Sequence, residues 1–147
     1  MKIKTIGVIN GPNLDRLGER EPEIYGTQTL QDLEKMLQAE AKESGATLLF
    51  FQSNHEGEII DKISECAEKK VDGVIINPGA YSHTSIAIYD AILGTQIPFI
   101  EVHISNVYKR ERFRHYSYTK AASTGSIVGL GLEGYVLALK YLMKECI

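Results

Sequence analysis

A chain of 147 residues, 44% hydrophobic and 24% charged, has the length and apolar content for one domain with a full core. Its formal net charge of -3 argues against nucleic acid as the main partner, because phosphate binding needs a basic surface. No apolar stretch approaches the ~20 residues that cross a membrane, and the start Met1-Lys2-Ile3-Lys4 carries no signal pattern, so a cytoplasmic protein is expected.

Five short apolar runs alternate with amphipathic segments, without linker, repeat or low-complexity stretch, so residues 1–147 read as a single domain. The first run, Thr5–Ile9, leads into Asn10-Gly11-Pro12-Asn13 and a long polar loop. A helix follows in which Leu30, Leu33, Leu37 and Ala41 share one face; Thr29 can cap its start and Gly45 can end it. The second run is Thr47–Phe51, and the helix behind it carries Ile59, Ile60, Ile63 and Ala67 on one face. The third run, Gly73–Asn77, precedes Pro78-Gly79-Ala80-Tyr81-Ser82-His83 and a helix from about Ser85 to Leu93. The fourth run, Phe99–His103, opens a second long loop. The fifth, Ser126–Gly129, comes before a last helix with Tyr135, Leu139 and Leu142 inward. Runs this short and this rich in Val, Ile, Leu and Phe suit parallel strands buried on both faces. Strand–helix alternation with right-handed crossovers makes the fold α/β, a three-layer sandwich. The natural five-stranded parallel arrangement is flavodoxin-like, order 2-1-3-4-5, with ligands expected beyond the strand ends near the switch between strands 1 and 3.

Polar residues collect where that rule places a site. Three of the five strand ends carry amide, imidazole or hydroxyl groups: Asn10 to Asn13, Asn77 to His83, and Glu101 to Asn106. Any one of these could be a plain turn former; three on one rim point to function. All five arginines fall in two loop segments, Arg16 with Arg20 and Arg110 with Arg112 and Arg114, whereas the eleven lysines are spread widely. Guanidinium groups bind carboxylates in a bidentate way, so a small anionic substrate is expected. Arg110 and Arg112 read at least as well as members of a solvated, salt-bridged loop. Of the four histidines, His55 and His115 read as surface residues and His83 as a possible helix cap. Glu101 and His103, two apart on a strand, project to the same side, where a carboxylate can fix the imidazole tautomer and favour its acidic form. Cys66 and Cys146 lie far apart, outside any Cys-x-x-Cys or Cys/His ligand spacing, which reads as two reduced thiols and no metal site.

Together these residues resemble a known family. Gly11-Pro12-Asn13-Leu14, Leu17-Gly18, Arg20-Glu21-Pro22 and Tyr25-Gly26 are similar to the N-terminal signature of type II 3-dehydroquinate dehydratases. Ser53-Asn54-His55-Glu56-Gly57, Asn77 to Ser85, Glu101 to Asn106, Gly129-Leu130-Gly131 and Gly134-Tyr135 extend the resemblance over nearly the whole chain. One departure is visible: the family often has Asn-Leu where this chain has Asp15-Arg16, which adds two charges to the loop. The resemblance implies a hydro-lyase converting 3-dehydroquinate to 3-dehydroshikimate by anti elimination through an enolate, a step of aromatic amino-acid biosynthesis, with no cofactor and no metal. Tyr25 would be the base, His103 the acid, and Asn13 would help hold a water against the enolate oxygen. Asn77, His83 and Arg114 would bind substrate hydroxyls, and the Ile104 and Ser105 backbone amides would hold its carboxylate. Asp90 would reach a neighbouring subunit's site, since the family forms trimers that assemble into a homododecamer.

A tyrosine base is demanding, because only about one free phenol in a thousand is ionised at pH 7. A unit-charge pair at ~4 Å is worth about 4 kcal/mol at an effective dielectric of ~20, enough to make a phenolate accessible. Arg20, five residues before Tyr25 in one loop, is the expected activator, with Arg114 adding to the field. Other readings of the same strand pattern fare worse. A nucleotide or FMN module needs a phosphate cradle after the first run, and no Gly-x-Gly-x-x-Gly or Gly-x-x-x-x-Gly-Lys-Ser/Thr occurs there. A phosphoryl-accepting domain wants acidic residues where Asn10, Asn13 and Asn77 stand. A Schiff-base dehydratase wants a desolvated lysine, and none lies in the second to fifth runs.

Overall fold

The computed structural model describes residues 3–145. Five parallel strands, β1 (Lys4–Asn10), β2 (Ala46–Gln52), β3 (Gly73–Asn77), β4 (Phe99–His103) and β5 (Gly125–Val128), form one sheet in the order β2-β1-β3-β4-β5. Every pairing is parallel. The sequence pattern anticipates this order and each strand to within a residue. The central strands β3 and β4 are buried throughout, as continuous apolar runs require; the edge strands β2 and β5 are half exposed.

The helices divide between the faces. α2 (Leu30–Ser44) and α5 (Glu133–Glu145) cover one side, packing Leu33, Leu37, Tyr135, Leu139 and Leu142 against Ile6, Val8, Ile75 and Val102. α3 (Glu56–Glu68) and α4 (Ile86–Leu93) cover the other, with Ile59, Ile63, Ile88 and Ile92 against Ile9, Val74, Ile76 and Phe99. Thr29 closes a capping box with Asp32, and Gly45 ends α2 at φ 80°, both where the sequence puts them. On α3 the inward stripe runs through Cys66 rather than Ala67, which is only partly buried. Cys66 is a buried free thiol, and burial pushes its pKa up, so it behaves as a small apolar core residue. Cys146 lies outside the described residues. Among the described residues no helix is long and apolar enough to cross a membrane.

The long loops carry more helix than the sequence pattern indicates. A 3-10 turn spans Leu14–Arg16, and α1 (Pro22–Tyr25) is a single turn begun by Pro22 at its first position. Further 3-10 turns cover Gly79–His83, Val107–Lys109, Arg112–Arg114 and Thr119–Ala122. Asp15 and Arg16, the two charges departing from the family pattern, point to solvent while Leu14 and Leu17 fill the core beside them. Two rim loops are locked by a close backbone approach. The Gly11 N–H donates to the Asn77 carbonyl at 2.8 Å, and a Cβ at Gly11 would fall 2.5 Å from the Pro78 carbonyl oxygen. Gly11→Ala is therefore expected to lower stability by about 1–3 kcal/mol, because a backbone atom cannot yield as a side chain would. Urea denaturation monitored by circular dichroism tests it; an unchanged midpoint denies the contact.

Candidate active site

Asn10 and Asn77 are register partners at the ends of β1 and β3, at the switch in strand order. Beside them β4 ends in His103. The loops above these ends enclose a cleft of ≈ 490 Å³, counting its open mouth, lined by Asn13, Arg20, Tyr25, Asn77, His83, His103, Ile104, Ser105, Arg110 and Arg114 together with Pro12, Leu14 and Val107. The cleft thus gathers every residue expected at the site except Glu101, which lies beneath it, and Asp90. Asp90 is exposed on α4, in a shallow groove with Ile60, Ala67 and Ala91.

Glu101 is 0% exposed, and its burial is fully compensated by donors. His103 Nε2 donates to its Oε2 at 2.7 Å, the Ser117 hydroxyl donates to the same oxygen at 2.7 Å, and the Thr119 hydroxyl donates to Oε1. Burial opposes the charged carboxylate, but the hydrogen bond and charge of His103 together with the two hydroxyls outweigh it and hold Glu101 below the usual carboxylate range. With Nε2–H committed to Glu101, the His103 tautomer is fixed, and Nδ1 is the ring nitrogen left for chemistry in the cleft.

His83 does not cap α4; the Ser85 hydroxyl does, accepting from the Ile88 N–H at 2.9 Å. The His83 ring instead stacks on His103, centroids 6.1 Å apart, and its Nδ1 donates to the Tyr116 carbonyl at 2.7 Å. Burial drives its pKa down, the positive fields of His103 and Arg114 add to this, and the Tyr116 contact only partly offsets it. A neutral His83 with Nδ1 donating presents Nε2 as an acceptor.

Tyr25 closes α1, and its hydroxyl meets a guanidinium that is not the expected one. Arg110 Nη1 donates to the Tyr25 hydroxyl oxygen at 2.5 Å and to the Ser105 hydroxyl at 3.3 Å. The Arg110 side chain pairs with Glu111 at 3.8 Å but is only 13% exposed, so it is salt-bridged without being solvated, whereas Arg112 is exposed. Arg20 stacks over the face of the ring, 4.9 Å from its centroid, and pairs with Glu21 at 3.6 Å. Arg110 also lies 5.3 Å from the ring centroid, so two cations flank one phenol. Arg114 lines the far wall with part of its charge answered by Glu111 at 2.9 Å.

Asn13 sits in the left-handed region at φ 70°, a conformation asparagine tolerates better than most residues. Its N–H donates to Asn54 Oδ1 at 2.9 Å, and the Asn54 carbonyl accepts from the Tyr81 hydroxyl at 2.7 Å. The segment around Asn54 therefore braces the Asn13 turn. Arg110, Ser117, Thr119 and Asn54 are the residues that sequence reasoning missed. Their partners lie 85, 16, 18 and 41 positions away in the chain, so no local spacing reveals them.

Comparison with known proteins gives a concordant result. The family model described as dehydroquinase class II matches residues 4–143. A protein of Neosartorya fischeri named catabolic 3-dehydroquinase 1 is 57% identical over 139 residues, covering 95% of this chain and 92% of that one. A 3-dehydroquinate dehydratase of Bacillus pumilus is 56% identical, covering 94% and 93%. The crystal structure of a type II dehydroquinase from Butyrivibrio crossotus superimposes with a TM-score of 0.94 at 50% identity, covering 95% of this chain and 97% of that one.

The Glu101 network makes a prediction about acid stability. A carboxyl held low when folded stabilises the fold above its unfolded value of about 4.3, and that contribution disappears as pH falls through the lower folded value. Glu101→Gln is therefore expected to be less stable than the parent at pH 7, with the gap in urea midpoint narrowing below about pH 4. A gap independent of pH would mean that the carboxylate charge is not what the three donors stabilise.

Proposed function

The chain belongs to the class II dehydroquinase family, and on that premise we propose that it is a 3-dehydroquinate dehydratase, a hydro-lyase that converts 3-dehydroquinate to 3-dehydroshikimate and water. The observation that carries this reading is a phenol held by a guanidinium, Tyr25 on Arg110, in the same cleft as a histidine held by a buried carboxylate, His103 on Glu101.

Tyr25, as phenolate, removes the proton from the carbon next to the substrate ketone. The C–H electron pair moves into the carbonyl, giving an enolate whose oxygen is met by a water that Asn13 helps to hold. The enolate then collapses and expels the hydroxyl from the adjacent carbon, which leaves as water with the Nδ1 proton of a His103 imidazolium whose Nε2–H stays on Glu101. The phenol and imidazole return to their starting states by exchange with solvent. Arg110 supports the first step because donation to the phenol oxygen favours the anion, with the Arg20 charge over the ring acting in the same sense. Glu101 supports the second by orienting the ring and balancing imidazolium charge. Asn77, His83 and Arg114 hold substrate hydroxyls, and the Ile104 and Ser105 backbone amides hold its carboxylate at the end of β4. The enone product is one that either aromatic amino-acid biosynthesis or quinate breakdown consumes.

The protein works as trimers gathered into a dodecamer, with Asp90 of one subunit reaching the cleft of the next. Exposed apolar side chains such as Ile86, Phe113 and Tyr116, 57 to 67% accessible, support a surface that assembly covers.

Ultraviolet absorbance of the enone, followed from 3-dehydroquinate with a chelator present, tests the activity; no absorbance change with the parent protein would refute it. Tyr25→Phe is expected to lose several orders of magnitude in turnover while substrate still binds, and near-normal turnover would remove Tyr25 as the base. His103→Ala should stall loss of water more than binding; weakened binding alone would contradict the acid role. Mass photometry should give twelve times the mass of one chain, and a fully active monomer would exclude Asp90 from the site.

A further inference from the structure

One hydroxyl joins the ends of the neighbouring strands β1 and β3 below the cleft. Asn10 and Asn77 are 1% and 3% exposed, and neighbouring register positions of a parallel pair project to the same face. Buried amides at such positions need partners. The fully buried Tyr135, in the first turn of α5, supplies both: its hydroxyl donates to Asn10 Oδ1 at 2.6 Å and accepts from Asn77 Nδ2 at 2.8 Å. The helix comes close enough to do this because Gly134 lacks a Cβ, which would stand 3.3 Å from both Val102 and Ile127. Asn77 Oδ1 accepts from the Gly79 N–H at 3.1 Å, so the orientation of the amide is fixed at both ends. Burial pushes the Tyr135 phenol far up, the Asn77 contact offsetting this only in part, which favours the protonated hydroxyl that donates to Asn10.

Tyr135 does not line the cleft, whereas Asn77 does. We propose that Tyr135 is a positioning residue: its hydroxyl, bridging Asn10 and Asn77, aims the second Asn77 N–H at a substrate hydroxyl and so sets substrate affinity from behind the site. The inference rests on the dehydratase reading for the identity of the substrate, and not for the aiming itself. An amide that is free to rotate would spread its donor over several directions, and the bound geometry would then be populated only part of the time. A merely structural hydroxyl would contribute stability and leave kinetics alone.

The test combines kinetics with a resonance that needs no turnover. Tyr135→Phe keeps the ring and removes only the O–H. It is expected to raise KM for 3-dehydroquinate about five-fold, as for the loss of one well-aimed hydrogen bond, with kcat changed by less than about two-fold. In an Asn77→Ala background the same substitution is expected to change KM no further, because the group it aims is gone. In 15N-labelled protein the Asn77 side-chain amide signals should be well dispersed in the parent and shift and broaden in Tyr135→Phe, where only the Gly79 N–H still holds the amide. Asn10→Ala, which keeps the Tyr135 hydroxyl but removes its acceptor, is expected to raise KM in the same direction by a smaller factor, and serves if Tyr135→Phe folds poorly. Parental KM in both single variants, or multiplicative effects of Tyr135→Phe and Asn77→Ala, would overturn the proposal whatever happens to the melting temperature. Should the parent fail to convert 3-dehydroquinate, the dehydratase reading fails, and undisturbed Asn77 signals in Tyr135→Phe would still overturn the aiming role by themselves.

Discussion

A guanidinium donating to a phenol oxygen is the constraint around which the rest of the site is arranged. Arg110 can reach Tyr25 only because β4 ends at His103 and the chain then turns through Val107–Lys109, with Val107 buried as an anchor. Tyr25 can meet it only because α1 ends there, started by Pro22 and stopped by Gly26 at φ 82°. The Arg110 side chain is only 13% exposed, so this hydrogen bond is made largely away from bulk water. Arg20 over the ring adds a second positive centre. Arg20 pairs with Glu21 at 3.6 Å and Arg110 with Glu111 at 3.8 Å, so part of this positive charge is already answered within the protein.

The floor of the cleft follows a different rule. Deep in the sheet the two faces are apolar, with Ile6, Val8 and Ile75 on one side and Ile9, Val74 and Ile76 on the other. At the strand ends the same rows continue as Asn10, Asn77, Glu101 and His103, all nearly inaccessible. Burying such groups costs free energy unless each finds partners. Here the partners come from elements distant in sequence: Tyr135 of α5 serves the two asparagines, and Ser117 and Thr119 serve Glu101. Asn77 and His103, which face the cleft, are thereby held by groups that do not line it, and the cost of their burial is offset on the side away from solvent.

The strands and the four longer helices were legible because their signals are local. Five apolar runs, the Thr29 cap and the Gly45 stop require only near neighbours, and parallel topology follows from alternation. The candidate site was legible as far as it lies at strand ends: Asn13, Asn77, His103 and the Glu101–His103 pair all come together in or beneath one cleft. Other features depend on tertiary contacts. Arg20 is close to Tyr25 in sequence and so reads as its activator, yet the longer chain path delivers Arg110 to the hydroxyl and Arg20 only to the ring face. His83 resembled a cap because Ser85, the true cap, lies only two residues on. The single turn of α1 escaped notice because four residues hold no periodicity, although Pro22 was a cue.

The two reacting groups of the proposed elimination need opposite protonation at one pH, a phenolate and an acidic imidazole. Left in water, each would favour the other state, since a phenol holds its proton to higher pH than an imidazole does. The cleft answers by pairing each with its counter-charge: cations around Tyr25, a fully buried carboxylate behind His103. Exchanging the two environments would favour phenol and neutral imidazole, the unproductive pair. The separation must also be maintained, because a direct phenolate–imidazolium contact would return the proton. Tyr25 comes from α1 and His103 from β4, and each is committed to its own partner before any ligand enters. Substrate bound in the cleft that both residues line would lie against the base and the acid together.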